Sequence, residues 1–173
     1  MYGHFTEQAK KAISISQESA AALGHRYVGT EHLLLGLVQE STGAAARVLQ
    51  KQGVTEEKVA KAIIEMIGTG RGNSQPPPGF TPKTKKVLAM SFREGISTGH
   101  SFIGIEHLLL GILKESESIA VRVLVNLGID PHGLSVEILK LFDTEATETA
   151  GSAEDSGRSA GAGQKDARRA EIS

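Results

Sequence analysis

The sequence predicts an all-α protein built from two copies of a four-helix repeat, and three observations carry that expectation. Shifted by 75 residues, residues 5–67 lie on residues 80–142 without a gap, with about a third of the positions identical. Apolar residues recur at three- and four-residue spacing and rarely alternate with polar ones, so strand signals are essentially absent. A Gly- and Pro-rich segment, residues 68–79, separates the copies.

The first helix is expected to begin after Thr6, whose hydroxyl can cap a first turn. Ala9, Ala12, Ile13, Ser16, Ala20 and Leu23 form its inward face, and Gly24 stops it. The second starts at Thr30 and carries Leu33, Leu34 and Leu35 to about Glu40. A short third helix covers about residues 43–52 and ends at Gly53. The fourth follows Thr55, with Glu56 and Glu57 favourable against its N-terminal dipole, and buries Val59, Ala62, Ile63, Met66 and Ile67. The second repeat follows the same plan.

A repeat of about 63 residues would be marginal alone, so the two are expected to share one pseudo-twofold body over residues 1–143. In the linker, glycines weaken a helix and Pro76, Pro77 and Pro78 forbid one. Residues 144–173 hold one aliphatic larger than alanine, Ile172, with four basic and six acidic groups, and are expected to be a disordered tail.

Composition excludes several classes of function. The net charge is −1, without the basic surplus of a nucleic-acid reader. There are no cysteines, so disulfides, thiolate metal sites and cysteine nucleophiles are ruled out. The longest apolar run, residues 33–38, is too short to span a bilayer, and the first residues lack a secretory signal pattern. A soluble cytoplasmic protein is expected. Gly68, Gly70 and Gly72 imitate a phosphate loop, but Asn73-Ser74-Gln75-Pro76 follows where a Lys-Ser/Thr pair opening a helix is needed. Neither a nucleophile elbow nor a catalytic triad is present, so no enzyme is expected, and no cofactor. His25, His32, His100 and His107 recur in pairs, yet without the helical His-x-x-x-His spacing of a metal site. They read as helix-terminus residues: His25 and His100 bond last carbonyls, while His32 and His107 pack in the next first turn.

Glu31 and Glu106 each stand in the first turn of a helix, beside N–H groups without intrahelical partners. That spot offers donors for an anion and a carboxylate for a cation, which suits a ligand carrying both charges. A glutamate there is also favourable against the helix dipole with no ligand at all. The residues alone leave both readings open.

Gly24-His25 followed by Gly29-Thr30-Glu31-His32-Leu33-Leu34-Leu35-Gly36 recurs as Gly99-His100 followed by Gly104-Ile105-Glu106-His107-Leu108-Leu109-Leu110-Gly111. This tandem pattern resembles the N-terminal domain of the Clp unfoldases, the ClpC type most of all, over about residues 2–142. The resemblance implies a non-catalytic domain that docks adaptors and substrates and passes them to AAA+ rings feeding the ClpP peptidase. It also implies binding of phosphoarginine at two sites, with Glu31 and Glu106 on the guanidinium. Helix-start amides near Thr30 and Ile105 would meet the phosphate, with hydroxyls from Thr6 and Thr81. The family usually has threonine at the position of Ile105, which makes the second site the weaker expectation. No Walker motif follows residue 142, so the chain looks like a stand-alone member. Its expected partners are phosphoarginine-bearing proteins, Clp adaptors or Clp protease subunits. The alternative is an accessory subunit docking on a ClpP core or a Clp ring, as isolated repeats do in plastids.

Overall fold

The computed structural model describes residues 4–40, 42–71 and 79–155. Its helices are α1 Glu7–Ala22, α2 Thr30–Gln39, α3 Ala44–Lys51, α4 Glu56–Ile67, α5 Pro82–Ser97, α6 Ile105–Lys114, α7 Ile119–Asn126 and α8 Pro131–Asp155. Among the described residues there is no strand, only two isolated bridges. The all-α expectation holds, and the helix ends follow the capping residues. Thr6 accepts from the Ala9 N–H (3.1 Å), Thr55 from Lys58 (3.3 Å), Thr81 from Thr84 (3.1 Å) and Ser118 from Val121 (3.2 Å).

The leucine-rich helices α2 and α6 are the centre of the body. Leu33, Leu34, Leu37, Leu108, Leu109 and Ile112 are fully buried in one apolar cluster that draws side chains from both repeats. α2 packs on α1 within its repeat and on α5, α6 and α7 of the other, while α3 meets α8 and α4 meets α7. Gly36 and Gly111 permit the closest of these approaches. A Cβ on Gly36 would strike the Ala12 carbonyl oxygen, and one on Gly111 would lie 2.7 Å from that of Val87. The helix pairs α1–α2 and α5–α6 are therefore packed at backbone distance, which fixes where α2 and α6 begin.

Two expectations are corrected. Ile67 is 42% exposed, because it is the last residue of α4, where the helix leaves the body; Met66 is only partly buried. The second repeat's last helix passes Asp143 and runs to Asp155. Ala146, Ala150 and Ala153 are good helix formers, and lengthening an existing helix avoids the cost of nucleating one. The rest of the expected tail, residues 156–173, and linker residues 72–78 lie outside the described residues. The described linker end is held: the Gly70 N–H donates to the Leu23 carbonyl at 2.9 Å.

Candidate functional site

The sequence places Glu31 and Glu106 at helix starts, and the structure shows what surrounds those starts. The segment entering α2 is clamped to the other repeat: Val28 donates to the Gly79 carbonyl and accepts from the Thr81 N–H, both at 3.0 Å. The segment entering α6 repeats this arrangement. Ile103 donates to the His4 carbonyl (2.7 Å) and accepts from the Thr6 N–H (2.9 Å). Each site thus belongs to both repeats, with the Thr81 backbone tied into the Glu31 side and that of Thr6 into the Glu106 side. A Cβ on Gly104 would lie 3.9 Å from Thr6 Oγ1. The threonine hydroxyls themselves cap α1 and α5.

Gly29 and Gly104 are the N-cap residues of α2 and α6, both extended and neither offering a side-chain cap. The glutamate two residues on folds its carboxylate into the vacant space. A Cβ added to Gly29 would lie 2.6 Å from Glu31 Oε2, and one on Gly104 would lie 2.9 Å from Glu106 Oε1. Any larger residue at either glycine would push the carboxylate away. Glu31 is 5% exposed, whereas Glu106 is half-buried, so access to the two carboxylates reverses the order expected from Ile105. Burial pushes the Glu31 carboxyl above its usual range, opposed by its own backbone N–H, by His25 and by the Thr30 hydroxyl.

His32 and His107, read from the sequence as packing residues, complete the helix starts. His32 Nδ1 accepts from the Gly29 N–H (2.8 Å), and His107 Nδ1 from the Gly104 N–H (3.0 Å). An accepting Nδ1 leaves the proton on Nε2. His32 Nε2–H therefore donates to His25 Nδ1 (2.8 Å), and His25 Nε2–H donates to the Gly68 carbonyl (2.8 Å). This two-ring relay ties the start of α2 to the end of α4. In the second repeat a hydroxyl joins in: His107 Nε2 lies 3.1 Å from Thr98 Oγ1 and 3.3 Å from His100 Nδ1. Phe142 stacks on His107, with ring centroids 4.8 Å apart. Burial, and secondarily the neighbouring histidine, pushes His32 and His107 each down to about 4. The 3.8 Å approach of His32 Nδ1 to Glu31 Oε2 is consequently not an ion pair, since that nitrogen carries no proton. The signal was in the sequence: the seven-residue step from His25 to His32 recurs from His100 to His107.

Thr30 does not cap its own helix. The residue is 3% exposed, and its hydroxyl accepts from the Ala120 N–H at 3.2 Å and so caps α7 of the other repeat. Ile105 is buried in the core at 6%. At the first helical position Ile105 offers its site only a backbone N–H, whereas the Thr30 hydroxyl also bears on the Glu31 carboxyl. Among the described residues no group of three or more His, Cys, Asp or Glu could hold a metal ion, and no helix is long and apolar enough to cross a membrane.

What the geometry provides, twice, is a carboxylate beside helix-start N–H groups on a buried helix. The family model of the Clp repeat (R) N-terminal domain matches residues 4–127 and 79–165. The chain is 44% identical over 147 residues to "Negative regulator of genetic competence ClpC/MecB" of Bacillus subtilis (strain 168), covering 85% of this chain and 18% of that protein. It is 43% identical over 165 residues to the chloroplastic chaperone protein ClpC1 of Oryza sativa subsp. japonica, covering 95% and 18%. The chain spans under a fifth of the length of these relatives. Among solved structures, the N-terminal domain of the chaperone ClpD from Arabidopsis thaliana superposes with a TM-score of 0.70 at 29% identity, covering 81% of this chain and 98% of that one. The Hsp104 N-terminal domain from Candida albicans shares the fold, with a TM-score of 0.64 at 14% identity, covering 79% and 90%.

Proposed function

As the chain belongs to the family of Clp repeat N-terminal domains, we propose that it is a non-enzymatic recognition module of the Clp degradation system, binding phosphoarginine-marked substrates and Clp adaptors. A cytoplasmic location is part of the same reading. One observation supports it above the others: the carboxylate lies over the glycine N-cap of a buried helix at both repeats. A carboxylate there can meet a guanidinium through paired charge-assisted hydrogen bonds. The N–H groups of the same helix start can hold the phosphate. Glu106, half-buried, is the readier partner; Glu31 must swing out of its tucked position to reach a ligand.

Calorimetric titration with free phosphoarginine tests the reading. Glu106→Ala removes a charge-assisted contact, at about 1.5–3 kcal/mol or roughly ten- to hundredfold in affinity. Glu31→Ala should act in the same direction, and unmodified arginine should bind far more weakly. If both alanine variants bind like the parent, the glutamates only stabilise helix starts and the assignment fails. A pull-down that returns stoichiometric Clp subunits, with no marked substrates, would favour an accessory structural subunit instead.

A further inference from the structure

Two aromatic rings stand in solvent at the same place in both repeats. Tyr27 is 60% exposed and Phe102 is 57% exposed, in a chain with only two tyrosines and five phenylalanines. Burial does not account for them. Each belongs to the short segment that leads into a carboxylate. Val28, bridged to Phe80, is fully buried, and Ile103, bridged to Phe5, is 2% exposed. Tyr27 and Phe102 each stand at a bend of the chain, one residue before the bridged Val28 or Ile103 and two before the N-cap glycine, Gly29 or Gly104. The vacant space over each of those glycines is where the Glu31 or Glu106 carboxylate lies. Each ring therefore starts two residues, at most about 7 Å of backbone, from the glycine over which its carboxylate lies.

We propose that Phe102 and Tyr27 are the walls of the two carboxylate sites, each stacking its ring on the plane of the guanidinium that Glu106 or Glu31 grips at its edge. The inference rests on the phosphoarginine reading and adds the determinant of cation shape. A cation within about 6 Å of a ring centroid is attracted to its face, and a planar guanidinium stacks there as a compact ammonium does not. Phe102 is the principal wall, because Glu106 is the more accessible carboxylate.

The test is phosphoarginine titration followed by proton NMR of the ligand. Phe102→Leu should weaken binding about two- to fivefold, the range of an exposed cation–π contact. It should also remove the upfield ring-current shift of the methylene protons next to the guanidinium. Phe102→Tyr should keep both. The rings are exposed, so melting temperatures should stay near the parent's and report a folded protein. The proposal is overturned if the double variant Phe102→Leu, Tyr27→Leu binds with the parent's Kd and leaves the ligand methylene shifts unchanged. A parent that takes up no phosphoarginine overturns the functional reading, and this inference with it. The parent titration alone separates that result from the first.

Discussion

The buried histidines make the fold acid-labile in a way that glutamine can cure. His32 and His107 are neutral in the folded protein, each held down to about 4 from an ordinary 6.5, first by burial and then by the neighbouring imidazole. A base whose folded value is depressed stabilises the fold above its unfolded value, and that stability drains away as pH falls from 6.5 towards 4. At 1.36 kcal/mol per unit, each histidine should withdraw about 2 kcal/mol of stability by pH 5 and about 3 by pH 4. Glu31 opposes this in the first repeat. Its raised carboxyl binds a proton more readily folded than unfolded, so acid favours the fold at that group. The second repeat should therefore show the cleaner loss.

Glutamine is the informative replacement. At the third helical position its side chain can take the N-cap N–H, as His107 takes that of Gly104, and it does not titrate. Urea denaturation of the parent between pH 7 and 4.5 should show a steep loss, about halved in His107→Gln and nearly absent in the double variant with His32→Gln. Equal acid loss in parent and double variant would refute the reasoning, because the titrating groups would then lie elsewhere.

Two further outcomes follow from the inter-repeat contacts. Thr30→Val keeps the shape but leaves the buried Ala120 N–H unpaired, at about 1–3 kcal/mol, whereas Ile105→Val at the matching position should cost about 0.5–1.5 kcal/mol; chemical denaturation resolves the difference, and equal costs would contradict the cap. Residues 1–72 and 76–143 expressed separately should be poorly folded by circular dichroism, since α2 packs on α5, α6 and α7; a half that melts sharply at the temperature of the whole would contradict the shared core.

Helix ends were legible because they are written in short-range chemistry. Thr6, Thr55 and Thr81 announce caps, and the 75-residue shift lets each repeat check the other. The positions of Glu31 and Glu106 at helix starts could be read for the same reason. What escaped was set by contacts between distant parts of the chain. Nothing local to Phe5 says that it bridges Ile103, so the partnership of Thr6 with Gly104 across repeats left no trace in spacing. Thr30 could be read as the start of its helix, and only packing shows that its hydroxyl serves α7. The histidine relay was half visible: the repeated step was there, but a helix break between His25 and His32 hid that the rings meet. Ile67 kept the apolar period to the end of α4 after the body that would bury it had ended.

The two isolated bridges are reciprocal. Position 5 of the first unit meets position 103, and the equivalent pair, shifted by 75 residues, is Val28 with Phe80. A contact in which one patch of a unit meets a second patch of its twin, and is met by it in return, is an isologous interface, the geometry of a twofold homodimer. The chain therefore has the design of a dimer joined into a single polypeptide. Joining removes the dependence of assembly on concentration, because the partner is always tethered nearby. It also releases the halves from having to be identical, which a true homodimer never allows. Thr30 can hold α7 by its hydroxyl while Ile105, its twin, fills the core instead, and one glutamate can be buried while the other is only half-buried.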